Sequence, residues 1–354
     1  MTTEAAPKKK SLTATSLMLL PAQIVLRAGE GLLPLLLAAW FGRSHATDVY
    51  YFCFAVFSFA GSLVFSAYQD SSLVPVLAEA RLVDRGSVPR LLGAMLSYTL
   101  LVGGGMALVV AGAAAGYFSF KYEGEDRALA LAMVAPFGVY LVALSVKTFF
   151  GAVLASEHKF FAQPIAGALG MVVALGAIYT LRARLGVMII PCAQLAGEAV
   201  AAGVLFFAVR AAGVHVDFTL SRPPALAKAS RLIAAEVGGS SITRVNPIVD
   251  QLMAGLAGVA GGATLLKYTF DVATVPTSLL QATLLSVLLS HLSDDAAKGD
   301  LAAVKRVVRR AMAACAAILG AAALLLWLVE RPLLEIVFLR GAMDAAGVTT
   351  MVQI

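Results

Sequence analysis

The sequence predicts an all-α integral membrane protein, and three observations support that fold class. Of the 354 residues 60% are hydrophobic, only 14% are charged, and the mean hydropathy is +0.87. A soluble domain carries roughly a quarter charged residues, so this composition indicates a chain whose surface faces lipid. Apolar windows of about twenty residues, the length that crosses a bilayer as a helix, recur along the whole chain.

Nine apolar windows predict nine transmembrane spans joined by short loops. They fall at 15–41, 47–72, 91–117, 128–154, 160–181, 186–211, 230–257, 264–291 and 306–329. A tenth span begins near Ala346. Three lysines precede the first window, as in a signal peptide, but the window exceeds the about 7–15 apolar residues of a cleavable segment. It also contains Arg27 and Glu30, so we interpret it as the first span.

The distribution of lysine and arginine predicts that the N-terminus is cytoplasmic and the protein multi-pass. With that orientation, cytoplasmic segments hold more than twice as many basic residues as outer segments, in agreement with the positive-inside rule. The outer basic residues are Arg43, Lys121, Arg127, Arg182, Arg184, Arg331 and Arg340. Because the net charge of +6 arises from loops and not from one basic stripe, no nucleic-acid partner is predicted.

The longest loops, 212–229 and 293–304, are both cytoplasmic in this topology. Neither is long enough to form a domain. The segment 223–231 begins in the 212–229 loop and extends just beyond it. It is either a short interfacial helix or a solvated connector.

A weak internal repeat predicts two lobes. Ala46-Thr47 opens the second span and Ala263-Thr264 opens the eighth, and similar patterns follow both. Many transporters are built from such repeats, with the substrate path where the halves meet. We predict an N-terminal lobe at 1–211 and a partial C-terminal lobe at 230–354, joined by the 212–229 connector.

Ionisable residues within the spans are the candidate functional residues. The bases are Arg27, Lys147, Arg244 and Lys267, and the acids are Glu30, Glu198, Glu236, Asp250 and Asp271. A charge at the bilayer centre costs on the order of 3 kcal/mol, so these residues should avoid lipid. Spacings of three and four place Arg27 beside Glu30 and Lys267 beside Asp271 on their helices. The charges either neutralise one another as contacts between helices or line a polar cavity for a charged substrate.

No enzyme is predicted. The sequence has no phosphate-binding loop of the Walker type, and its serines lack a nucleophile elbow. The four histidines have no metal-ligand spacing, and the three cysteines lie in apolar stretches as small core residues. Whether any metal binds is not determined by these patterns.

Four motifs in order resemble those of the MurJ (MviN) lipid flippases. The segment 39–52 (AWFGRSHATDVYYF) is similar to the first loop of that family, and 73–79 (LVPVLAE) to its Phe-Val-Pro-Ile-Leu-Ala-Glu motif. The segment 245–250 (VNPIVD) resembles a motif of the seventh helix. A fourth match runs from Tyr268 through Pro276 to Leu292-Ser293, so the resemblance covers essentially the whole chain.

The resemblance implies a fold and a substrate class. The family has two six-helix lobes around a central cavity and about fourteen helices, whereas nine or ten are present here. Its members belong to the multidrug/oligosaccharidyl-lipid/polysaccharide exporter superfamily and move an undecaprenyl-pyrophosphate-linked saccharide, lipid II being the type case. Arg27 matches a cavity arginine of the first helix, and Asp48 matches the acid after the first loop. A pyrophosphate needs cationic partners, and the arginine is one of them.

Other cavity positions differ from the family. Further arginines and a glutamate in the first two helices are replaced by Leu33, Gly61, Ser62 and Ser66, and an arginine in the eighth falls at or beside Asp271. Two alternatives to a flippase therefore stay open. The chain is then either a non-transporting scaffold that recruits cell-envelope synthesis proteins or a small-molecule antiporter of the same superfamily.

Our prediction is a flippase of the bacterial inner membrane that works by alternating access. The predicted substrate and cavity residues are Arg27, Glu30, Asp48, Arg244, Asp250, Lys267 and Asp271. Its partners are a lipid-linked saccharide, membrane lipids and, as a further possibility, cell-envelope synthesis proteins. We predict no cofactor other than a coupling cation such as sodium or a proton, which Glu30, Asp250 or Asp271 would bind.

Overall fold

The computed structural model of the chain is mostly helical in the residues it describes. These residues are 29, 31–67, 76–77, 80, 86, 88–157, 159, 161–216, 219–222, 224–256, 259, 261–277 and 301–353. No β-strand occurs among them. This confirms the predicted all-α class.

Ten helices can be followed through the described residues. They are α1 (Gly31–Phe41), α2 (His45–Ala67), α3 (Val88–Lys121), α4 (Gly124–Ser156), α5 (Ala162–Leu185), α6 (Ile189–Ala211), α7 (Pro224–Leu256), α8 (262–277), α9 (Leu301–Phe338) and α10 (Ala345–Gln353). A helix thus lies in each predicted span, and α10 begins where the tenth was expected. The segment 223–231 was predicted as an interfacial helix or a connector. That prediction was wrong, because residues from Pro224 onward form the first turns of the continuous helix α7.

Four helical segments among the described residues are long and apolar enough to cross a membrane: Val88–Lys121, Gly124–Ser156, Ala162–Ala211 and Val308–Phe338. The third contains a reversal, because the 3-10 turn Gly186–Met188 separates α5 from α6. Gly186 has a φ of 56°, which favours glycine. The chain therefore is a membrane protein whose α5 and α6 form an antiparallel hairpin.

Two of the arginines that the predicted topology places outside lie at the end of α5. Arg182 and Arg184 occupy its last turn, where a positive side chain interacts favourably with the carbonyl end of the helix dipole. The Arg182 guanidinium also lies over the Tyr179 ring, 4.7 Å from its centroid. Both arginines thus have local interactions at the end of α5 that do not depend on the orientation of the chain in the membrane.

The chain forms two compact units. The first contains residues 1–33 and 45–259, and the second contains 34–44 and 260–354. These units follow packing, whereas the predicted lobes 1–211 and 230–354 follow the repeat, so the lobe boundaries stay a prediction. The short helix α1 contributes its later residues to the second unit although it precedes α2 in sequence.

In the first unit, α4 packs against α2, α3 and α6. Phe137 on α4 is completely buried and contacts three rings of α2, those of Tyr50, Phe54 and Phe57, at centroid distances of 5.4–6.2 Å. A second apolar cluster joins one end of the bundle and includes Leu92, Met95, Phe149, Phe150 and Leu205. These contacts fix the mutual rotation of α2, α4 and α6.

In the second unit, the loop after α1 is held against the loop before α10. The Ala342 N–H donates to the Ala39 carbonyl at 2.9 Å. Gly42 and Gly341 have φ values of 60° and 64°, and a Cβ at either would lie within 2.4 Å of a backbone oxygen of the opposite loop. The close approach therefore requires glycine at both positions.

Candidate functional site

An ion pair between α4 and α6 is the central feature of the candidate site. The Lys147 ammonium lies 2.8 Å from Glu198 Oε1 and 2.6 Å from Oε2, so it contacts both carboxylate oxygens. The two side chains are 22% and 19% exposed. Glu198 lies near the middle of α6, so the pair is at membrane depth, where a lone charge would be costly.

Polar side chains surround this pair on neighbouring turns. Gln194 lies one turn before Glu198 on α6, and its Nε2 donates to the Tyr50 hydroxyl of α2 at 2.9 Å. Its other amide atom, Oε1, is buried and accepts no hydrogen bond from the described residues. Tyr140 lies two turns before Lys147 on α4. Polar side chains thus occupy turns next to the ion pair on both α4 and α6.

Two glycines bring α5 and α6 together at the level of Glu198. A Cβ at Gly170 would lie 2.4 Å from the Gly197 carbonyl oxygen, and one at Gly197 would lie 2.6 Å from the Gly170 oxygen. No side chain can fit between backbones at that distance, so small residues at this crossing are a packing requirement. Because Gly197 precedes Glu198, the contact also places the backbone from which the Glu198 side chain extends.

A second ion pair lies in the second unit. The Lys267 ammonium contacts Asp271 Oδ1 one turn later on α8, so the pair expected from their spacing is present. Both side chains are about a quarter exposed, at 28% and 27%. The other carboxylate oxygen, Oδ2, is buried and has no hydrogen-bond partner in the described part of the chain. Unlike Lys147–Glu198, this pair lies within a single helix.

The remaining predicted site residues differ in what the structure says of them. Arg27 and Glu30 lie outside the described residues, and Arg244 is placed only as a position on α7. Asp250, also on α7, is exposed. Asp48 lies in the first turn of α2 and is close enough to Lys121 of α3 for their charges to interact. The assignment of these residues to a substrate cavity therefore stays a prediction.

The electrostatics of the site follow from this pairing. Each pair brings one ammonium and one carboxylate into contact, so the two formal charges offset each other. Among the described residues no group of three or more His, Cys, Asp and Glu side chains is arranged to hold a metal ion. The described clusters thus provide polar surface and fixed charge inside helical bundles.

Lys147 and Glu198 were predicted to be charges within the spans but were not predicted as site residues. Their sequence separation of 51 residues carries no information about pairing, which depends on how α4 and α6 rotate against each other. Gln194 and Tyr140 were missed altogether. The four-residue spacing from Gln194 to Glu198, which puts both on one helix face, was the available indication.

Two curated relatives are similar in sequence. A probable lipid II flippase MurJ of Rhizobium tropici is 24% identical over 331 residues, which cover 89% of this chain and 61% of that protein. A lipid II flippase MurJ of Burkholderia cenocepacia is 25% identical over 339 residues, covering 90% of this chain and 64% of the relative. The chain thus spans somewhat less than two thirds of the length of the curated relatives it matches.

Solved structures show the same fold. A lipid II flippase MurJ in an inward closed conformation matches 96% of this chain and 70% of its own, with a TM-score of 0.75 and 15% identity. An inward-facing transporter of the multidrug resistance MATE family, in the MOP superfamily, matches 96% and 78% with a TM-score of 0.76 and 13% identity. The fold alone is therefore common to both kinds of transporter. The family model for the lipid II flippase MurJ, however, matches residues 37–354, and the chain belongs to that family.

Proposed function

We propose that this chain carries out the flipping of an undecaprenyl-pyrophosphate-linked saccharide, lipid II or a related cell-envelope precursor, by alternating access. The family match over residues 37–354 is the observation that carries this proposal. The fold supports transport equally for a flippase and for a MATE-type antiporter, because the two TM-scores are nearly equal. Sequence similarity favours the flippase.

The head group sets the chemical requirement. A pyrophosphate is a compact anion that binds best to arginine or lysine donors in a site with little competing water. Arg27 is our choice for the first contact, on the strength of its match to the family motif. Lys147 and Lys267 are already neutralised by Glu198 and Asp271, so neither supplies a free positive charge while its pair is intact. Among the basic residues predicted within the spans, the attraction would then come from the arginines Arg27 and Arg244.

The cellular setting belongs to the same proposal. Lipid-linked precursors made in the cytoplasm have to cross the bacterial inner membrane, and the excess of basic residues in the predicted cytoplasmic loops supports a cytoplasmic N-terminus. The saccharide would cross through the polar path while the lipid tail stays in the bilayer. A coupling cation, sodium or a proton, would be bound by an acidic residue such as Glu30, Asp250 or Asp271.

Transport in proteoliposomes tests the function directly. The complete gene product would be reconstituted and supplied with lipid II, with other undecaprenyl-pyrophosphate saccharides and, separately, with a drug-like organic cation. Movement of a lipid-linked saccharide supports the proposal. Movement of the organic cation alone would identify an antiporter, and binding of cell-envelope synthesis proteins without any transport would identify a scaffold.

The role of Arg27 has its own test. We expect Arg27→Ala to abolish complementation in cells depleted of their flippase, because the pyrophosphate loses a donor pair that alanine cannot replace. Arg27→Lys keeps the charge without the bidentate geometry and should retain part of the activity. Growth at the wild-type rate with Arg27→Ala, at equal protein level in the membrane, would remove Arg27 from the mechanism.

A further inference from the structure

The first three turns of α9 carry several exposed basic side chains. They are Lys305, Arg306, Arg309 and Arg310. Within α9 the first acidic residue after them is Glu330, at the other end of the helix. None of these basic residues forms an ion pair with another residue that the structure describes. This end of α9 therefore presents positive charge that no acid of its own helix offsets.

The basic residues at the other end of α9 differ in this respect. Arg331 donates from its Nε to the Glu335 carboxylate at 3.1 Å, one turn later on the helix. Arg340, just after α9, donates from its Nε to the Ile336 carbonyl at 2.9 Å. Both guanidinium groups thus have partners within the chain. The two ends of one helix differ in how their basic residues are satisfied.

The charge pattern of α9 sets the depth of its basic end in the membrane. Residues 311–329 carry no charge, and about twenty such residues cross the hydrocarbon core as a helix. No residue in the most apolar window of this helix is buried, so that window faces lipid. The basic residues directly precede the uncharged stretch and therefore lie at the depth of the lipid head groups. The predicted topology places them on the cytoplasmic side, where anionic lipids attract basic residues next to a span.

An open groove of about 570 Å³ lies along one face of α9 at this depth. The described residues that line it are Lys305, Val308, Arg309, Met312, Ala313 and Ala316. Their spacings of three and four put them on the same face of the helix. The two basic side chains lie at the head-group end, and Met312 and the alanines continue into the uncharged stretch. The groove thus has a cationic end and an apolar end.

We propose that this groove binds an anionic phospholipid of the surrounding bilayer. The lipid phosphate accepts hydrogen bonds from Lys305 and Arg309, which are the donor types that bind phosphate most strongly. One acyl chain lies along Met312 and Ala316, where the small side chain leaves room for it. Because the neighbouring window of α9 faces lipid, a bilayer phospholipid reaches the groove directly. The inference concerns lipid binding and does not depend on which substrate is transported.

Binding of phosphatidylglycerol to the purified chain in a neutral detergent tests the proposal. The probe is fluorescent phosphatidylglycerol, and labelled phosphatidylcholine, which has no net charge, serves for comparison. We expect saturable binding of phosphatidylglycerol and roughly tenfold weaker binding of phosphatidylcholine. Lys305→Gln/Arg309→Gln should weaken phosphatidylglycerol binding about 20-fold, because each basic residue near an anionic head group contributes about fivefold. Should this double variant not fold, Lys305→Gln alone is measured, with about a fivefold loss expected.

Three control variants at exposed positions separate the groove from general electrostatic attraction. Arg306→Gln/Arg310→Gln removes the same charge beside the groove and should weaken binding by about fivefold or less. Arg331→Gln/Arg340→Gln removes the same charge from the other end of α9 and should leave binding unchanged. Ala316→Phe keeps every charge but fills the apolar end of the groove, so it should weaken binding of phosphatidylglycerol. Size-exclusion chromatography verifies that each variant is folded.

Several outcomes would overturn the inference. Equal losses in Lys305→Gln/Arg309→Gln and Arg306→Gln/Arg310→Gln would mean that the attraction is diffuse and involves no groove. Unchanged binding in the first of these variants, or in Ala316→Phe, would exclude the proposed position of the head group or of the acyl chain. Displacement of phosphatidylglycerol by far lower concentrations of undecaprenyl pyrophosphate would assign the groove to a pyrophosphate lipid instead.

Discussion

The helices of the first unit contact one another closely, whereas the long helix α9 of the second unit has most of its side chains exposed. Phe137, Leu205 and Ile190 are completely buried in the first unit. On α9, Leu325, Trp327 and Leu328 are each at least 60% exposed. A helix with this much exposed apolar surface needs lipid or other apolar partners around it. The helices of the first unit and α9 are similarly apolar, yet their side chains are buried to different degrees.

The same contrast separates the two ion pairs. Lys147 and Glu198 join α4 to α6 and belong to the packing of the bundle. Lys267 and Asp271 lie one turn apart on α8 and connect no two helices. A pair between helices contributes to tertiary structure, whereas a pair within a helix mainly lowers the cost of keeping charge in that segment. Variants at the contacts between helices and at the two ion pairs test this distinction.

The largest effect is expected from Gly170→Val. The new side chain would meet the Gly197 backbone, 2.4 Å from the first added carbon, and a backbone cannot move aside as a flexible side chain can. Overpacking of this kind should destabilise the protein by about 3 kcal/mol and reduce the yield of folded chain in size-exclusion chromatography. Gly176→Ala on the same helix meets no atom within 4 Å and should be tolerated. Equal yields of both variants would contradict the close α5–α6 contact.

A smaller effect is expected from breaking the ion pairs. Lys147→Met leaves Glu198 uncompensated, which costs about 3–5 kcal/mol for a fully buried pair and, with this partial exposure, about 2 kcal/mol. Lys267→Met should cost about 1 kcal/mol or less, because no contact between helices is lost. Thermal unfolding in detergent with N-methylglucamine as the only cation measures both.

The double variant Lys147→Met/Glu198→Gln controls for this comparison. It removes the uncompensated charge and should recover most of the lost stability. If Lys267→Met destabilised the chain as much as Lys147→Met, the distinction between pairs within and between helices would be wrong.

The smallest effect is expected at the loops of the second unit. Arg43 binds Asp344 with two parallel hydrogen bonds of 2.9 and 3.0 Å. The hydrogen bond from this guanidinium holds the pKa of the Asp344 carboxyl below its ordinary value. Because that folded-state pKa is depressed, the stabilisation is present above the unfolded-state pKa and is lost as the pH falls through the folded-state pKa.

Asp344 is 53% exposed, so screening by water limits the contribution to well under 1 kcal/mol. We expect Arg43→Gln to return the pKa of Asp344 toward its ordinary value and to change Tm only slightly. Carboxylate resonances of labelled aspartate, followed by NMR between about pH 2 and 6, measure this shift. An unchanged pKa would show that the guanidinium is not its main cause.

Much of the helical architecture was predictable because hydropathy is a local property. A window of apolar residues forms a helix in lipid whatever surrounds it, since its backbone groups must bond within the segment. Helices accordingly lie in all the predicted spans, and α10 begins at Ala345, next to the predicted start. The exception at 223–231 arose because proline and polar residues near a helix start look the same as those of a loop.

The candidate site was less predictable. Lys267 and Asp271 were paired correctly because four residues of one helix span about one turn. Lys147 and Glu198 were recognised only as isolated charges, since nothing in either segment encodes the rotation of its helix. Asp48 was assigned a role by family resemblance, and the structure adds a local one, in the first turn of α2 and near Lys121.

The amino-acid sequence by itself determined that this chain resides in a membrane, where its helices lie and which family it belongs to. These properties depend on composition, on short windows and on motifs, all of which are written along the chain. Tertiary structure alone decided that Lys147 meets Glu198, that Gly170 meets Gly197 and that α1 contributes to the second unit. Such contacts join residues far apart in sequence, and they exist only once close packing has fixed the rotation and register of every helix.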